Sequence, residues 1–495
     1  MQRRSIASPA TEKDTQRGNS IIAAWEQDPG ASSHPDGGVL IQRPVPTLDK
    51  PPFATRIEGG GSPPADNYQP GTPAFRYWAC ADALRRASDF WGGVLGAHKW
   101  NPAITGNILP VIVDEGVDLN AYYDRRALNF FHAAVGGRMV YSGESPDVVC
   151  HEFGHAILDA VRPQLWDVTA FEPPAFHESF GDMSAILTAL QLPSVRVRVL
   201  QETHNDLSRA SRLSRLAEQL GWAIRQKQPD SVDPDCLRNA VNSLFYRSPV
   251  ELPTYAPAKQ LSSEPHSFSR VFTGAFFHAL SLMFASSSAL TEDSLQQVSV
   301  DLGHILVGAI AHSPVVPEYF SQIGAHMIQL AQAKSPRYGE AMRTAMVRHG
   351  IVSVAGATSV AAPEHAAAFA AAPAPASAAE LPVEDIDVSA FGLKITSVRM
   401  VTAGQPKRFA IAGAAPTFGD AQTMPSARVA LGFFEDLIRR GRLDHGDLGD
   451  PQRAIIPPVP RMKTHKLVKD GDQVVLRRIR IDCGLRGQPP HAATP

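Results

Sequence analysis

Residues 147–159 read DVVCHEFGHAILD and place two histidines, His151 and His155, four residues apart. In an α-helix, positions i and i+4 lie on one face about one turn apart, so both imidazoles can reach a single metal ion. Glu152 directly follows the first histidine, where its carboxylate could hold a water without binding the metal. Metal-assisted hydrolysis needs these groups, because a cation lowers the pKa of its water and a nearby carboxylate takes the proton.

A zinc hydrolase also needs a third protein ligand and an open fourth position. Glu178, in the segment FHESFGDM, is the candidate because it lies on the next predicted helix. Asp182 follows one turn later on the same face, where it can accept a hydrogen bond from the free N–H of a ligand histidine. HExxH arises by chance in roughly a few per cent of chains this long, but the apolar residues around Glu178 favour a buried pair with a role over a solvated surface pair.

Together these residues resemble the thermolysin-like neutral zinc metallopeptidases of the gluzincin group. That family has HExxH on one helix and, on the next, a ligand glutamate followed four residues later by aspartate. The resemblance implies one catalytic Zn²⁺ ion held by His151, His155 and Glu178. It also implies that Glu152 is the general base and that Asp182 orients the first histidine. The implied fold is α+β and two-lobed, with a mainly helical C-terminal lobe.

The resemblance extends over residues 73–353 and includes three segments outside the zinc helices. Asn120 and Ala121, in DLNAYYD, match the edge strand that lends its unpaired N–H and C=O groups to an extended substrate. His266, in HSFSRVFTGAFFHAL, matches the histidine that stabilises the oxyanion. Arg238, in CLRNA, matches an arginine that binds a substrate carbonyl. Without the zinc motif, an ordinary strand, a structural histidine and a common Leu-Arg pair would be the preferred interpretations.

The chain departs from the family pattern at several positions. The segment SAILTALQL lacks the acidic residues of the family's paired calcium site, so we expect that site to be absent although Asp147 is present. Trp166 stands where the family has a tyrosine that assists the oxyanion. Leu261 stands where an aspartate should orient the oxyanion histidine, so Glu264 or a backbone carbonyl is expected to substitute. These departures affect efficiency and substrate preference more than metal binding.

Composition limits the other classes of function. Of the 495 residues, 44% are hydrophobic and 19% are charged, and the net charge is −2. These values suit a soluble globular protein. This balance predicts no nucleic-acid partner and no membrane. Four cysteines without a CxxC pair predict buried thiols. The N-terminus lacks the apolar stretch of a signal peptide, so we expect a cytoplasmic protein, with signal-independent secretion as the alternative and no oligomeric state indicated.

Changes in composition divide the chain into six segments. Pro, Gly, Ser and charge predict a disordered or loosely docked N-terminal arm, and an Ala/Pro-rich stretch predicts a linker. Helical periodicity dominates the zinc-binding lobe, including LSRASRLSRLAEQLGWAIRQ. The segments are the arm (1–70), an N-terminal lobe with strands and a helix (71–146), a helical zinc-binding lobe (147–353), the linker (354–381), a small mixed or mostly β accessory domain without evident chemistry (382–484) and a tail (485–495).

The sequence therefore predicts a zinc-dependent metalloendopeptidase that acts on proteins or peptides. By the resemblance, Val148 and Leu237 line an apolar pocket that favours cleavage before a bulky hydrophobic residue. Two alternatives stay open: a non-peptidase zinc hydrolase, and a catalytically weak or inactive relative that binds a partner through its cleft or its C-terminal domain. Glu152 argues against the second, because a site without catalytic demand has no need for a carboxylate there.

Overall fold

The computed structural model of the chain describes residues 21–30, 38–362, 366, 380–405, 424–449 and 462–483. Within these ranges the fold is α+β, as predicted, with long helices and several small sheets. The helices are α1 (Pro73–Leu95), α2 (Pro146–Val161), α3 (Gln164–Asp167), α4 (Glu172–Ala189), α5 (Pro193–Thr203), α6 (Glu218–Lys227), α7 (Pro265–Ala285), α8 (Glu292–His312), α9 (Tyr319–Lys334), α10 (Pro336–Arg348), α11 (Val354–Val360) and α12 (Ser426–Arg439).

The strands form two five-stranded sheets and three two-stranded pairs. The larger sheets have the orders β16-β5-β6-β4-β3 and β11-β12-β15-β14-β13, and the pairs are β1-β2, β7-β8 and β9-β10. Strand β16 therefore joins the C-terminal region to the sheet of the N-terminal lobe. The strands are β1 (Ile21–Trp25), β2 (Leu40–Pro44), β3 (Thr55–Ile57), β4 (Leu109–Ile112), β5 (Ala121–Tyr123), β6 (Leu128–Phe130), β7 (His132–Val135), β8 (Arg138–Tyr141), β9 (Arg215–Leu216), β10 (Arg238–Asn239), β11 (Val383–Asp387), β12 (Ser397–Val401), β13 (Leu443–Asp444), β14 (His465–Asp470), β15 (Gln473–Arg478) and β16 (Ile481–Asp482).

Helices α2 and α4 lie side by side in the core, and two glycines allow their close approach. A Cβ added to Gly181 would lie 2.6 Å from the imidazole ring of His151. A Cβ added to Gly154 would lie 2.8 Å from Cβ of Ser184. Both distances are shorter than packed side chains tolerate, so any larger residue would push the two helices apart. The glycines therefore set how closely the predicted metal ligands of the two helices can meet.

Helix α7 packs against α4 on the side away from α2. It is long and apolar enough to cross a membrane by length and composition, but 83% of its most apolar window is buried inside the fold. A helix that is apolar on all sides and covered by other helices is the usual centre of a large core. Its first turn carries His266. The burial of α7 thus places this histidine next to the α2–α4 pair.

The N-terminal arm is folded to a greater extent than predicted. Strands β1 and β2 pair antiparallel, and Ile22 and Ala24 are fully buried. Trp25 contacts Phe75 of α1 edge to face, with the ring centroids 5.7 Å apart. The expectation of a disordered or loosely docked arm therefore does not hold for β1 and β2, because the short apolar run IIAAW outweighs the polar composition around it.

The predicted helix over LSRASRLSRLAEQLGWAIRQ is correct only in its second half, since α6 begins at Glu218. Upstream, Ser214 accepts a hydrogen bond from the backbone N–H of Ser211 and donates one to its carbonyl. Such local side-chain bonds compete with helix formation. Ala217 then takes a left-handed conformation, with φ of 49°, which ends any continuous helix at that residue.

The region predicted as linker and accessory domain also differs in part from expectation. Residues 354–360 form α11 instead of an extended linker, and Ser353 caps this helix by accepting a hydrogen bond from Gly356 N. Within the described part of 382–484, the sheet β11-β12-β15-β14-β13 packs against α12. The segment KRFAIAG, residues 407–413, lies outside the described ranges.

Candidate metal centre

The three predicted metal ligands lie together at the contact between α2 and α4. His151 Nε2 is 3.3 Å from Glu178 Oε2, and His155 Nε2 is 3.9 Å from Glu178 Oε1. The two imidazole rings are perpendicular, with centroids 4.7 Å apart. Bonds of about 2.0–2.3 Å in a tetrahedral site put neighbouring ligand atoms about 3.3–3.8 Å apart. The observed spacing is close to that range, so these donors can converge on one cation.

A fourth donor comes from the C-terminal region. Cys483 Sγ lies 3.8 Å from Glu178 Oε2 and 4.0 Å from His155 Nε2. With His151, these side chains form a buried group whose ligand atoms all lie within 4.8 Å of one another. Two imidazoles, a carboxylate and a thiol are a donor set that suits a tetrahedral, borderline-soft ion such as zinc. The group could therefore hold a metal ion.

Unsatisfied polar atoms at this position support the same interpretation. His151 Nε2 is buried and forms no hydrogen bond, although it faces Glu178 at short range. Both carboxylate oxygens of Glu152 are also buried and form no hydrogen bond. Buried polar atoms without hydrogen bonds cost free energy unless another partner stabilises them. A cation between the four donors would provide that partner for the imidazole.

The sequence analysis found no chemistry in the accessory domain, whereas the structure places Cys483 in a buried group that could hold a metal ion. The prediction that the cysteines are buried thiols is correct, but this thiol lies beside residues more than 300 positions earlier in the chain. The segment RIRIDCG contains a single cysteine without a second ligand at metal-binding spacing. No local pattern could have identified it, because the sheet pairing of β16 alone brings it to the site.

Asp182 and Arg238 hold His151 from behind. Asp182 Oδ1 is 3.1 Å from His151 Nδ1, as the predicted orienting role requires. Arg238 donates to the same carboxylate from Nε and Nη2, at 3.0 and 2.6 Å. Burial acts to raise the pKa of Asp182, but the charge of Arg238 and the hydrogen bond with His151 lower it below its usual range. The aspartate is therefore ionised and fixes the tautomer of the imidazole.

The pKa values of the two histidines shift in opposite directions. Burial acts to lower the pKa of His151, but its hydrogen bond with Asp182 and the facing carboxylate of Glu178 raise it to about 9. Burial and the neighbouring histidines lower the pKa of His155 well below its usual range. The two carboxylates therefore favour a positive charge at His151, whereas His155 is held neutral. A metal ion would replace the proton of His151 as that positive charge, because histidine ligands bind a metal in the neutral form.

Glu152 lies beside this group on α2 and is completely buried. Burial raises its pKa to about 8, with the nearby charge of His151 opposing the increase. A raised pKa means that this carboxyl group holds a proton more readily than an exposed glutamate. Its predicted role as general base stays a prediction.

His266, at the start of α7, lies beside Glu178. Its Nε2 is 3.2 Å from Glu178 Oε2, and its Nδ1 is 2.6 Å from Glu264 Oε1. Glu264 thus takes the orienting position that Leu261 cannot fill, as expected. Because one ring nitrogen is held by this carboxylate, the other points to the four-donor group.

Asn120 and Ala121 lie at β5, as predicted, but the edge of that strand is already paired. Cys483 N donates to Ala121 O at 2.9 Å, and Ile481 and Asp482 are opposite Tyr123 and Tyr122. Asn120 uses its side-chain oxygen to accept a hydrogen bond from Ala121 N. The strand that was expected to bind substrate therefore binds β16 of the same chain.

Arg238 also lines a small pocket next to His151. Val148 and Leu237, predicted to form an apolar pocket, lie in its wall together with Cys483. The guanidinium is directed to Asp182, so the contact seen here positions a ligand histidine. This leaves the predicted bond to a substrate carbonyl as a proposal. The remaining lining residues are Asp147, Ala185, Leu216, Ala217 and Leu220.

No protein-family model matches this chain, and no curated protein matches it significantly. The function must therefore be argued from the geometry of the four-donor group and its neighbours.

Proposed function

We propose that the chain is a zinc-dependent metalloendopeptidase of the thermolysin-like, gluzincin type. The observation that supports this most strongly is the convergence of His151, His155 and Glu178 from two helices. His266 Nε2 lies 3.2 Å from Glu178 Oε2, and Glu152, which follows His151 in the chain, is completely buried. A structural metal site needs only the ligands, whereas hydrolysis needs a base and an oxyanion donor as well.

Zinc, held by His151, His155 and Glu178, would supply Lewis-acid chemistry at this position. Glu152 would take up a proton from water and pass it to the leaving amine. His266 donates a hydrogen bond to the oxygen that becomes negatively charged, and Glu264 holds the ring in that orientation. Asp182 keeps His151 in the tautomer that presents Nε2 to the ligand group.

The substrate in this proposal is an extended peptide. Ala121 O in β5 accepts a backbone hydrogen bond from Cys483 N, and a substrate strand could use the same acceptor. The apolar wall at Val148 and Leu237 would take a bulky hydrophobic side chain after the cleaved bond. A peptide edge beside the donors favours a peptidase over a zinc hydrolase that acts on small molecules. We propose a cytoplasmic location, with proteins or peptides as partners.

A second candidate function is supported by Cys483. Four protein ligands are typical of structural zinc sites, whereas catalytic sites keep one position for water or substrate. A gluzincin-fold zinc protein without turnover, which binds a partner through its surface, would keep the four-donor group permanently closed. Glu152 and His266 have no function in such a protein, and we therefore rank it second.

The two candidates are separated by a protein-cleavage assay on casein with the zinc-loaded full chain. We expect slow, chelator-sensitive cleavage that Glu152→Gln abolishes while zinc content stays unchanged. Glu172→Gln is the matched control. Like Glu152, Glu172 is buried, and burial raises its pKa to about 8, but it lies on α4 outside the donor group. Equal cleavage by wild type and Glu152→Gln, or stoichiometric zinc without any cleavage, would contradict the proposed function.

A further inference from the structure

We propose that residues 481–483 close the metal centre of this protein. Cys483 acts as the fourth ligand of the metal, and strand β16 takes the position of a peptide on the edge of β5. This inference rests on the proposed function, since it concerns the regulation of the same site. The folded chain is then a latent form that opens when the segment is displaced.

The first observation is the position of the thiol. Among the four cysteines, Cys483 alone belongs to a metal-ligand group within the described part of the chain. Its sulfur lies 3.8 Å from Glu178 Oε2 and 4.0 Å from His155 Nε2. Sulfur is a preferred ligand for zinc. The thiol therefore fills the coordination position that a catalytic site keeps for water or substrate.

The second observation is independent of the thiol and concerns the backbone. Ile481 pairs antiparallel with Tyr123, and Cys483 N donates to Ala121 O at 2.9 Å. An extended peptide that adds to β5 needs the same backbone groups. Each edge N–H and C=O group pairs with one neighbouring strand at a time. A substrate can therefore bind along β5 only after β16 has left.

The accessory sheet holds the closing segment in place. Arg442, between α12 and β13, forms a buried ion pair with Asp482 at 2.8 Å and donates to Met462 O at 2.9 Å. Only two residues separate the end of β15 from β16, and Arg478 in β15 donates from Nε to Trp166 O. Arg442 thus holds β16 itself, and Arg478 joins the accessory sheet to the helical lobe at Trp166. This gives the C-terminal domain a function, namely to position residues 481–483.

Opening the site is a ligand exchange without any redox change. The bond between Cys483 Sγ and the cation breaks, the thiolate takes up one proton, and the coordination position becomes accessible to solvent. The hydrogen bond from Cys483 N to Ala121 O and the other backbone pairs of β16 break as the segment leaves. Water takes over these polar groups until a substrate strand pairs with β5. No oxidant or reductant is needed for this step.

The ligand assignment is tested with Co²⁺ as a spectroscopic probe in the full-length chain. We expect a sulfur-to-cobalt charge-transfer band in the wild type and in Cys80→Ala, a matched buried cysteine on α1. Cys483→Ala should bind one cobalt ion and lack the band, and Cys483→Ser provides the same test should the alanine variant fold poorly. A band that persists without Cys483, or that is missing from the wild type, overturns the inference.

The closing role is tested with the zinc-loaded forms of the same variants and a hydrophobic peptide substrate. Cys483→Ala should cleave at least ~10-fold faster than wild type and Cys80→Ala, because a closed state favoured tenfold corresponds to about 1.4 kcal/mol. Adding Glu152→Gln should abolish this gain. Equal rates with and without Cys483 overturn the closing role. Absence of cleavage in every form contradicts the proposed function, whereas the cobalt band decides the ligation by Cys483 independently.

Discussion

Two regions of this molecule with buried histidines differ in their surroundings. At the contact of α2 and α4, His151 faces Glu178 at 3.3 Å without a hydrogen bond at Nε2. Within α9, His326 is equally buried, but its Nδ1 lies 2.7 Å from the hydroxyl of Ser313, just after α8. In the first region, the Nε2 atoms of His151 and His155 both face the carboxylate of Glu178. The other pairs its imidazole with a neutral hydroxyl.

The effect of burial on the pKa separates the two regions further. Burial lowers the pKa of His326 to about 4, so that this side chain stays neutral at physiological pH. At the candidate metal centre, the hydrogen bond with Asp182 and the facing carboxylate of Glu178 overcome burial and raise the pKa of His151 to about 9. Burial alone therefore does not identify a functional histidine. The decisive features are unsatisfied nitrogen atoms and carboxylates that favour a positive charge between them.

The largest expected effect distinguishes the two regions by metal content. His155→Ala removes one of the proposed ligands, and we expect zinc affinity to fall by at least ~100-fold, more than the loss of an outer partner of a ligand usually costs. His326→Ala removes a buried imidazole of the other region and should keep one zinc ion per chain. Elemental analysis after dialysis measures both variants. Equal zinc content in the two variants would eliminate the distinction between the regions.

An intermediate effect is expected at the carboxylate behind the ligands. Asp182→Asn removes the negative charge that holds His151 and Arg238, so zinc affinity should fall by about 10–100-fold. Competition with a chromogenic chelator measures this change. Asp301→Asn is the control, because Asp301 is also buried on a helix and pairs with Lys334 away from the site. Unchanged affinity in Asp182→Asn would show that the aspartate does not support the ligand.

The smallest effect concerns stability in the second region. The folded-state pKa of His326, about 4, lies below the value near 6.5 of an unfolded histidine, so the unfolded chain binds the proton first as the pH falls. From pH 6.5 to 5.5 this histidine should therefore cost the fold about 1 kcal/mol. His326→Gln should show a shallower pH dependence of the free energy of unfolding, measured by urea titration. Identical pH dependence in both proteins would contradict the assigned environment.

The helices that carry the metal centre could be predicted because their signals are local. The spacing of His151 and His155, and the later pair Glu178 and Asp182, follows from helical geometry alone. The orienting partner of His266 could also be predicted, because Glu264 is only two residues away in the chain. Each of these predictions depends on contacts between near neighbours in the chain or between consecutive long helices.

Other parts of the structure depend on pairing over long distances and had no local signal. The register of β16 on β5 places Cys483 at the metal centre, and nothing in the sequence near either strand specifies that register. Strand pairing is decided mainly by tertiary packing, which short segments do not encode. The same limitation explains the N-terminal arm, where β1 and β2 become ordered through their contact with α1.

X-ray absorption at the zinc edge of the purified full chain tests the central claim most directly. The account predicts one zinc ion per chain with two imidazole nitrogens, one carboxylate oxygen and one sulfur at about 2.3 Å. Protein that takes up no stoichiometric zinc, or zinc whose spectrum lacks imidazole ligands, would contradict it.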